Sequence, residues 1–276
     1  MPKLRAHQLL IAPFFLLCAI VFFTHPASAA EPPKENLHLF LLIGQSNMAG
    51  RGVPEAVDKT PHPRVWMLDA QNQWVPAVDP LHFDKPKIAG TGLSLTFAKS
   101  LADKNPSAHI GLIPCAFGGT PIAKWKKGEP LYSNAIARAR LALQRGTLKG
   151  ILWHQGEGDC GKRETLDAYP QNLAQFIRDL RADLKAPEAP FIAGQLGEFF
   201  AAKSPLAKEF NMMISKYPGT LPRTGCALAT GLTDKGDQTH FDSKSLREFG
   251  LRYAAEYERI INSNGSAAGK SKGTAR

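Results

Sequence analysis

From Asn36 onward the chain alternates between short unbroken apolar runs and longer stretches in which apolar residues recur every three or four positions. The runs occupy residues 37–43, 110–116, 150–154, 191–196 and 226–230. Runs this short, bounded by glycine, proline and polar residues, read as strands buried on both faces. The helical spacing lies between and after them. Leu93, Phe97 and Leu101 make one apolar face, and Ile136, Ala139 and Leu143 a second. Leu173, Phe176, Ile177, Leu180 and Leu184 make a third, and Leu246, Phe249, Tyr253, Tyr257 and Ile260 a fourth. Buried strands alternating with amphipathic helices predict an α/β fold, a three-layer α/β/α sandwich around a mainly parallel central sheet. One stretch breaks the rhythm. Residues 51–90 are rich in proline and poor in helical spacing, and read as a loop-rich insertion with one β-hairpin around Trp66 and Trp74.

The two ends have other patterns. Lys3 and Arg5 precede an apolar stretch from Leu9 to Phe23, and the small residues Ala27-Ser28-Ala29-Ala30 come after it. A basic head, an apolar middle and a small-residue end describe a secretory signal peptide over residues 1–30. Pro13 interrupts the apolar stretch, which is shorter than the roughly 20 residues a spanning helix needs; an uncleaved N-terminal anchor is the alternative. The expected destination is the periplasm or the outside of the cell. Residues 31–263 then form one domain, and 264–276, rich in Gly, Ser and Ala with Lys270, Lys272 and Arg276, read as a disordered basic tail.

Charge changes little. The formal net charge is +10, but Lys3 and Arg5 leave with the signal and three further cations sit in the tail. The modest excess on the folded body suits a solvated surface, and no basic cluster interleaved with aromatics points to nucleic acid. Cys115, Cys160 and Cys226 remain after processing. An exported compartment permits a disulfide among them, and an odd count leaves one thiol over unless chains pair. No Cys-x-x-Cys pair and no His-Glu-x-x-His spacing is present, so no metal site is expected.

In a parallel α/β sheet, ligands sit beyond the carboxyl ends of the strands, so function is sought in the residues immediately after each run. The first leads into Gly44-Gln45-Ser46-Asn47-Met48-Ala49-Gly50, and the second into Phe117-Gly118-Gly119-Thr120. The third leads into His154-Gln155-Gly156-Glu157, and the last into Asp237-Gln238-Thr239-His240-Phe241-Asp242. A serine becomes a nucleophile only when a neighbouring base takes its proton. His240 is the candidate base for Ser46, and an aspartate three residues before a histidine can fold back to hold the imidazole in the needed tautomer. Taken singly, Ser46 also reads as a turn or helix-cap residue. Glu157 is a second carboxylate that could orient His240. Arg51 is a candidate sugar contact or a structural ion pair, and Trp125 and Tyr132 are either sugar-stacking faces or core residues. Asp234 and Asp242 read as solvated or helix-capping acids.

Together, and in this order, the four motifs resemble the carbohydrate acetylesterases of the SGNH-hydrolase superfamily. More narrowly they resemble the sialate O-acetylesterase-like branch that includes the acetyl xylan esterases of carbohydrate esterase family 6. The similarity runs through nearly all of residues 37–260. It implies the flavodoxin-like SGNH version of the sandwich and a Ser46–His240–Asp237 triad, with Glu157 as the alternative acid. It also implies an oxyanion hole made by backbone N–H groups near Ser46 and Gly119 with the side-chain amide of Gln155. Donors aimed at a developing oxyanion contribute about 3–4 kcal/mol each. The implied activity is hydrolysis of O-acetyl groups on an oligo- or polysaccharide, without a cofactor. Sialate or another short-chain ester as substrate, and a catalytically silent carbohydrate-binding protein of the same fold, are the other readings.

Overall fold

Strand β1 (Leu37–Gly44) organises the domain, because its side chains feed two separate cores. Leu37, Leu39, Leu41 and Ile43 point to one face of the sheet, and Phe40 and Leu42 to the other. Period-two alternation of apolar residues on both faces is what a doubly covered strand requires. Burying each of these side chains stabilises the fold by roughly 1.5–3 kcal/mol relative to exposure.

The structure is a computed structural model and describes residues 31–270. The expected signal segment and residues 271–276 lie outside the described residues. After β1 come the one-turn helices α1 (Ser46–Ala49) and α2 (Ala56–Lys59), then the hairpin β2 (Val65–Leu68) and β3 (Trp74–Pro76). Next are α3 (Ser94–Lys104), β4 (His109–Pro114), α4 (Pro130–Leu143), β5 (Thr147–His154) and α5 (Arg163–Asp183). The chain closes with β6 (Phe191–Gly194), α6 (Glu198–Ala201), α7 (Pro205–Lys216), β7 (Thr224–Ala227) and α8 (Ser243–Lys270).

The seven strands lie in the order β3-β2-β4-β1-β5-β6-β7. All neighbouring pairs are parallel except β2 with β3. The five apolar runs are thus five parallel strands, and the hairpin expected in the insertion extends the same sheet at the β4 edge. Helices α4, α5 and α7 cover the face bearing Leu39 and Leu41, while α3 and α8 cover the face bearing Phe40. There the Phe40 ring meets Phe97 of α3 at 5.0 Å and Tyr257 of α8 at 5.2 Å, both edge-on. The three-layer sandwich stands as expected.

One helix stands outside the expected set. Leu206, Phe210, Met213 and Ile214 recur at helical spacing along α7, Ser204 accepts a hydrogen bond from the Ala207 N–H at 3.1 Å and Pro205 opens the first turn, yet none of the four expected apolar faces falls there. Helix α8 runs from Ser243 to Lys270. A helix already anchored by packed turns extends at the cost of fixing one residue per added hydrogen bond, so polar residues continue it easily.

The topology also fixes where a site can form. From β1 the chain moves to one side, to β2, β3 and β4, and then crosses to the other, to β5, β6 and β7. The loops leaving β4 and β5 therefore diverge at the carboxyl end of β1 and leave a crevice there.

Candidate active site

The turn out of β1 is set by Gly44. Its φ is +132°, and a β carbon there would lie 2.2 Å from the carbonyl oxygen of His154 at the end of β5. Only glycine accepts both conditions. The Gln45 N–H donates to that same carbonyl at 2.8 Å, which locks the turn to β5. The next residue, Ser46, opens α1 at the mouth of the crevice, 7% exposed.

The partner of Ser46 comes from the loop between β7 and α8. His240 Nε2 lies 3.0 Å from Ser46 Oγ, and His240 Nδ1 lies 2.7 Å from Asp237 Oδ2. The other Asp237 oxygen accepts the N–H groups of Thr239 at 2.9 Å and His240 at 2.8 Å. Burial pushes the Asp237 carboxyl upward, but the imidazole and those two N–H groups outweigh it and hold the group well below the usual carboxylate range. Asp237 therefore stays ionised, and an ionised acceptor at Nδ1 requires the proton there, leaving Nε2 free to accept from Ser46.

The loop is braced in itself and against α1. Asp234 Oδ2 accepts from the Gly236 N–H at 3.0 Å and the Gln238 N–H at 2.6 Å, and the Lys235 N–H donates to the His240 carbonyl at 3.0 Å. Asp242 Oδ1 accepts the Ser245 N–H at 2.7 Å and so caps α8. Asn47, beside the nucleophile, clamps both sides of His240. Its Nδ2 donates to the Thr239 carbonyl at 3.0 Å, and its Oδ1 accepts the Phe241 N–H at 3.2 Å.

Glu157 has a different place from the one considered for it. It accepts from Asn47 Nδ2 at 2.7 Å and lies 3.7 Å from His154 Nε2. Among the described residues no hydrogen bond or ion pair joins it to His240. Burial raises its pKa, but His154 and Asn47 outweigh that and the carboxyl is lowered overall. It therefore acts on the His240 loop at one remove, by holding Asn47.

The turn after β4 faces the nucleophile from the other side. The ideal β-carbon position of Gly118 is 3.4 Å from Ser46 Cβ, so turn and serine are in contact. Gly119 has φ +80°, which favours glycine. Among the described residues the backbone N–H groups of Ser46 and Gly119 donate to no protein acceptor. Two unspent donors beside a serine hydroxyl suit an oxyanion.

The remaining candidates occupy other roles. The Gln155 amide, 1% exposed, spends its two hydrogens on Asp159 Oδ2 at 2.6 Å and the Thr120 carbonyl at 3.1 Å. It anchors the turn that carries Gly119 in place of donating to the site itself. Trp125 is fully buried, edge-on to Trp153 at 5.5 Å, with Nε1 donating to Thr120 Oγ1. Tyr132 is buried too, its hydroxyl donating to Asp183 Oδ2 at 2.6 Å. Neither offers a face to a sugar; both belong to the core on the face of the sheet covered by α4 and α5. Arg51 is buried in an ion pair with Asp84 at 2.6 Å. Cys115, Cys160 and Cys226 are buried free thiols with pKa values pushed up by burial. Among the described residues no cluster of His, Cys, Asp or Glu could hold a metal ion, and no helix is long and apolar enough to cross a membrane.

Three residues of the site carry no sequence signal of their own: Asn47, Asp84 and Asp159. Asn47 and Asp159 lie within or beside the motifs, so their spacing is visible but their partners are not. Asp84 sits in the proline-rich insertion, where no periodicity marks it.

Residues 36–259 match the family described as carbohydrate esterase, sialic acid-specific acetylesterase. The chain belongs to this family. It is 32% identical over 250 residues to a probable carbohydrate esterase, At4g34215, of Arabidopsis thaliana, covering 82% of this chain and 91% of that protein. The X-ray structure of that plant protein superimposes with a TM-score of 0.75, over 83% of this chain and 99% of that one, at 31% identity. The chain is also similar to a probable 9-O-acetyl-N-acetylneuraminic acid deacetylase of Escherichia coli K12, at 24% identity over 54% of this chain and 61% of that protein. At the level of fold alone, a novel carbohydrate acetylesterase from Xanthomonas citri, XAC1771, matches with a TM-score of 0.64 and 22% identity, over 83% of this chain and 56% of that one. The resemblance to the sialic acid-specific acetylesterases is thereby established, and this member of the family is a carboxylic ester hydrolase built on a mainly parallel α/β/α sandwich.

Proposed function

We propose that this esterase is exported and removes O-acetyl groups from carbohydrates, with Ser46 as nucleophile, His240 as general base and Asp237 as the acid that orients it. The observation that carries this reading is the unbroken line of contacts from Ser46 Oγ through His240 to Asp237, at 3.0 Å and 2.7 Å. Both distances are those of direct hydrogen bonds, and the first is within reach for proton transfer from Ser46 to His240.

In the first step Ser46 Oγ attacks the acetyl carbonyl while His240 Nε2 takes its proton. The resulting oxyanion is met by the N–H groups of Ser46 and Gly119. The C–O bond to the sugar then breaks, and His240 returns the proton to the departing sugar hydroxyl. Water repeats the sequence on the acetyl-enzyme and releases acetate. Asp237 keeps the imidazole in one tautomer and stabilises it when protonated. The chemistry needs no cofactor. Export is supported by the basic, apolar and small-residue pattern of residues 1–30.

Sialate is the second substrate reading, favoured by the family's description and by the E. coli relative. The test is acetate release from a panel of acetylated xylan, acetylated sialic acid and long-chain acyl esters. We expect acetylated sugars to be turned over at least about a hundredfold faster, by kcat/KM, than long-chain esters. Equal turnover of long-chain esters contradicts a carbohydrate substrate.

A further inference from the structure

The insertion of residues 51–90 does more than extend the sheet. Its Asp84 reaches beneath the turn that carries Gly118 and Gly119, where a single oxygen, Oδ2, accepts two hydrogen bonds. One comes from Arg51 Nη2 at 2.6 Å and the other from the Gly118 N–H at 2.8 Å. Arg51 lies directly after the nucleophile helix, and its Nη1 donates to the Gly50 carbonyl at 2.7 Å. A β carbon on Gly118 would lie 2.6 Å from Arg51 Nη2, 3.1 Å from Asp84 Oδ2 and 3.4 Å from Ser46 Cβ. Ion pair, turn and nucleophile are therefore packed against one another without slack. A second contact repeats the arrangement: His82 Nδ1, in the same insertion, accepts the Ala116 N–H at 3.2 Å, and burial keeps this imidazole neutral with its pKa lowered to about 3.

We propose that Asp84 is a positioning residue for acetyl transfer: by accepting the Gly118 N–H it sets the peptide plane that precedes the Gly119 N–H, and so aims that donor at the oxyanion. The proposal rests on the reading of Ser46 as nucleophile and Gly119 as oxyanion donor. A role in stability alone fits poorly. The side chains of Arg51 and Asp84 are 2% and 1% exposed, and Asp84 Oδ1 is buried with no hydrogen-bond partner. Buried charges left partly unsatisfied stabilise less than apolar residues of the same volume. What the pair does supply is a fixed acceptor that joins the nucleophile segment, the insertion and the oxyanion turn.

The test uses two double variants that both remove the buried charges and differ only in the acceptor at position 84. Arg51→Met with Asp84→Asn retains an amide oxygen for the Gly118 N–H; Arg51→Met with Asp84→Leu does not. For the Leu variant we expect kcat about a hundredfold below wild type with KM little changed, and a matching loss of affinity for a methylboronic acid transition-state analogue. For the Asn variant we expect kcat within roughly fivefold of wild type. Equal kcat in the two variants overturns the proposal. Should the Leu variant fail to fold, a hundredfold loss in a folded Asn variant overturns it equally. Ser46→Ala is measured alongside: full activity there sinks the site reading itself, whereas an inactive Ser46→Ala beside two equal double variants sinks only the role of Asp84.

Discussion

Ser46→Ala is expected to lower the rate of acetate release by about four to six orders of magnitude while leaving the melting temperature close to that of the wild type. The size reflects what the hydroxyl does. Without Oγ no acetyl-enzyme forms, and His240 is left facing a methyl group. The residual rate then reflects substrate positioning and the two N–H donors alone. Stability is spared because the side chain makes one hydrogen bond, to His240, and contributes no buried apolar surface of consequence. Turnover by the purified variant, measured with an acetylated sugar, checks the first part; a thermal melt checks the second. Activity within tenfold of wild type is incompatible with the proposed mechanism.

Asp237→Asn is expected to cost about 10⁴ in kcat, and Glu157→Gln no more than about tenfold. The asymmetry comes from what each carboxylate touches. An asparagine at 237 keeps one oxygen for the Thr239 and His240 N–H groups, so the loop holds its shape. Its NH2 group then faces Nδ1, which must become the acceptor, and the ring proton moves to Nε2. A protonated Nε2 cannot take the Ser46 proton. At position 157 the glutamine oxygen still accepts from Asn47, so the clamp on Thr239 and Phe241 persists. Steady-state kinetics of the two variants decides between the acids: a larger loss for Glu157→Gln than for Asp237→Asn reverses the assignment.

Much of this site is legible in the sequence because its chemistry sits on short local motifs. Gly44 and Ser46 are fixed by the end of a strand, and Asp237 and His240 are close enough in sequence to close on each other. The strands and the main helices are legible for a related reason: apolar runs and three-to-four spacing report local geometry directly. Contacts between distant segments are not. Arg51 and Asp84 are 33 positions apart, and nothing along the chain says that they meet beneath Gly118. Trp125 and Tyr132 come soon after the oxyanion turn, yet aromatic residues near a site are buried or exposed according to the packing of helices beneath it, which one sequence does not reveal. The Gln155 amide has its motif to recommend it as an oxyanion donor, whereas the neighbours that take its hydrogens, Thr120 and Asp159, become visible only in three dimensions.

The most direct test of the central claim is covalent. A fluorophosphonate probe reacts with a serine only where a base activates it and donors receive the phosphoryl oxygen. After exposure of the full chain, peptide mapping by mass spectrometry should find the adduct on Ser46, and labelling should disappear in His240→Ala with the fold retained. An unlabelled Ser46 in active wild-type enzyme, or labelling that survives loss of His240 unchanged, contradicts the account.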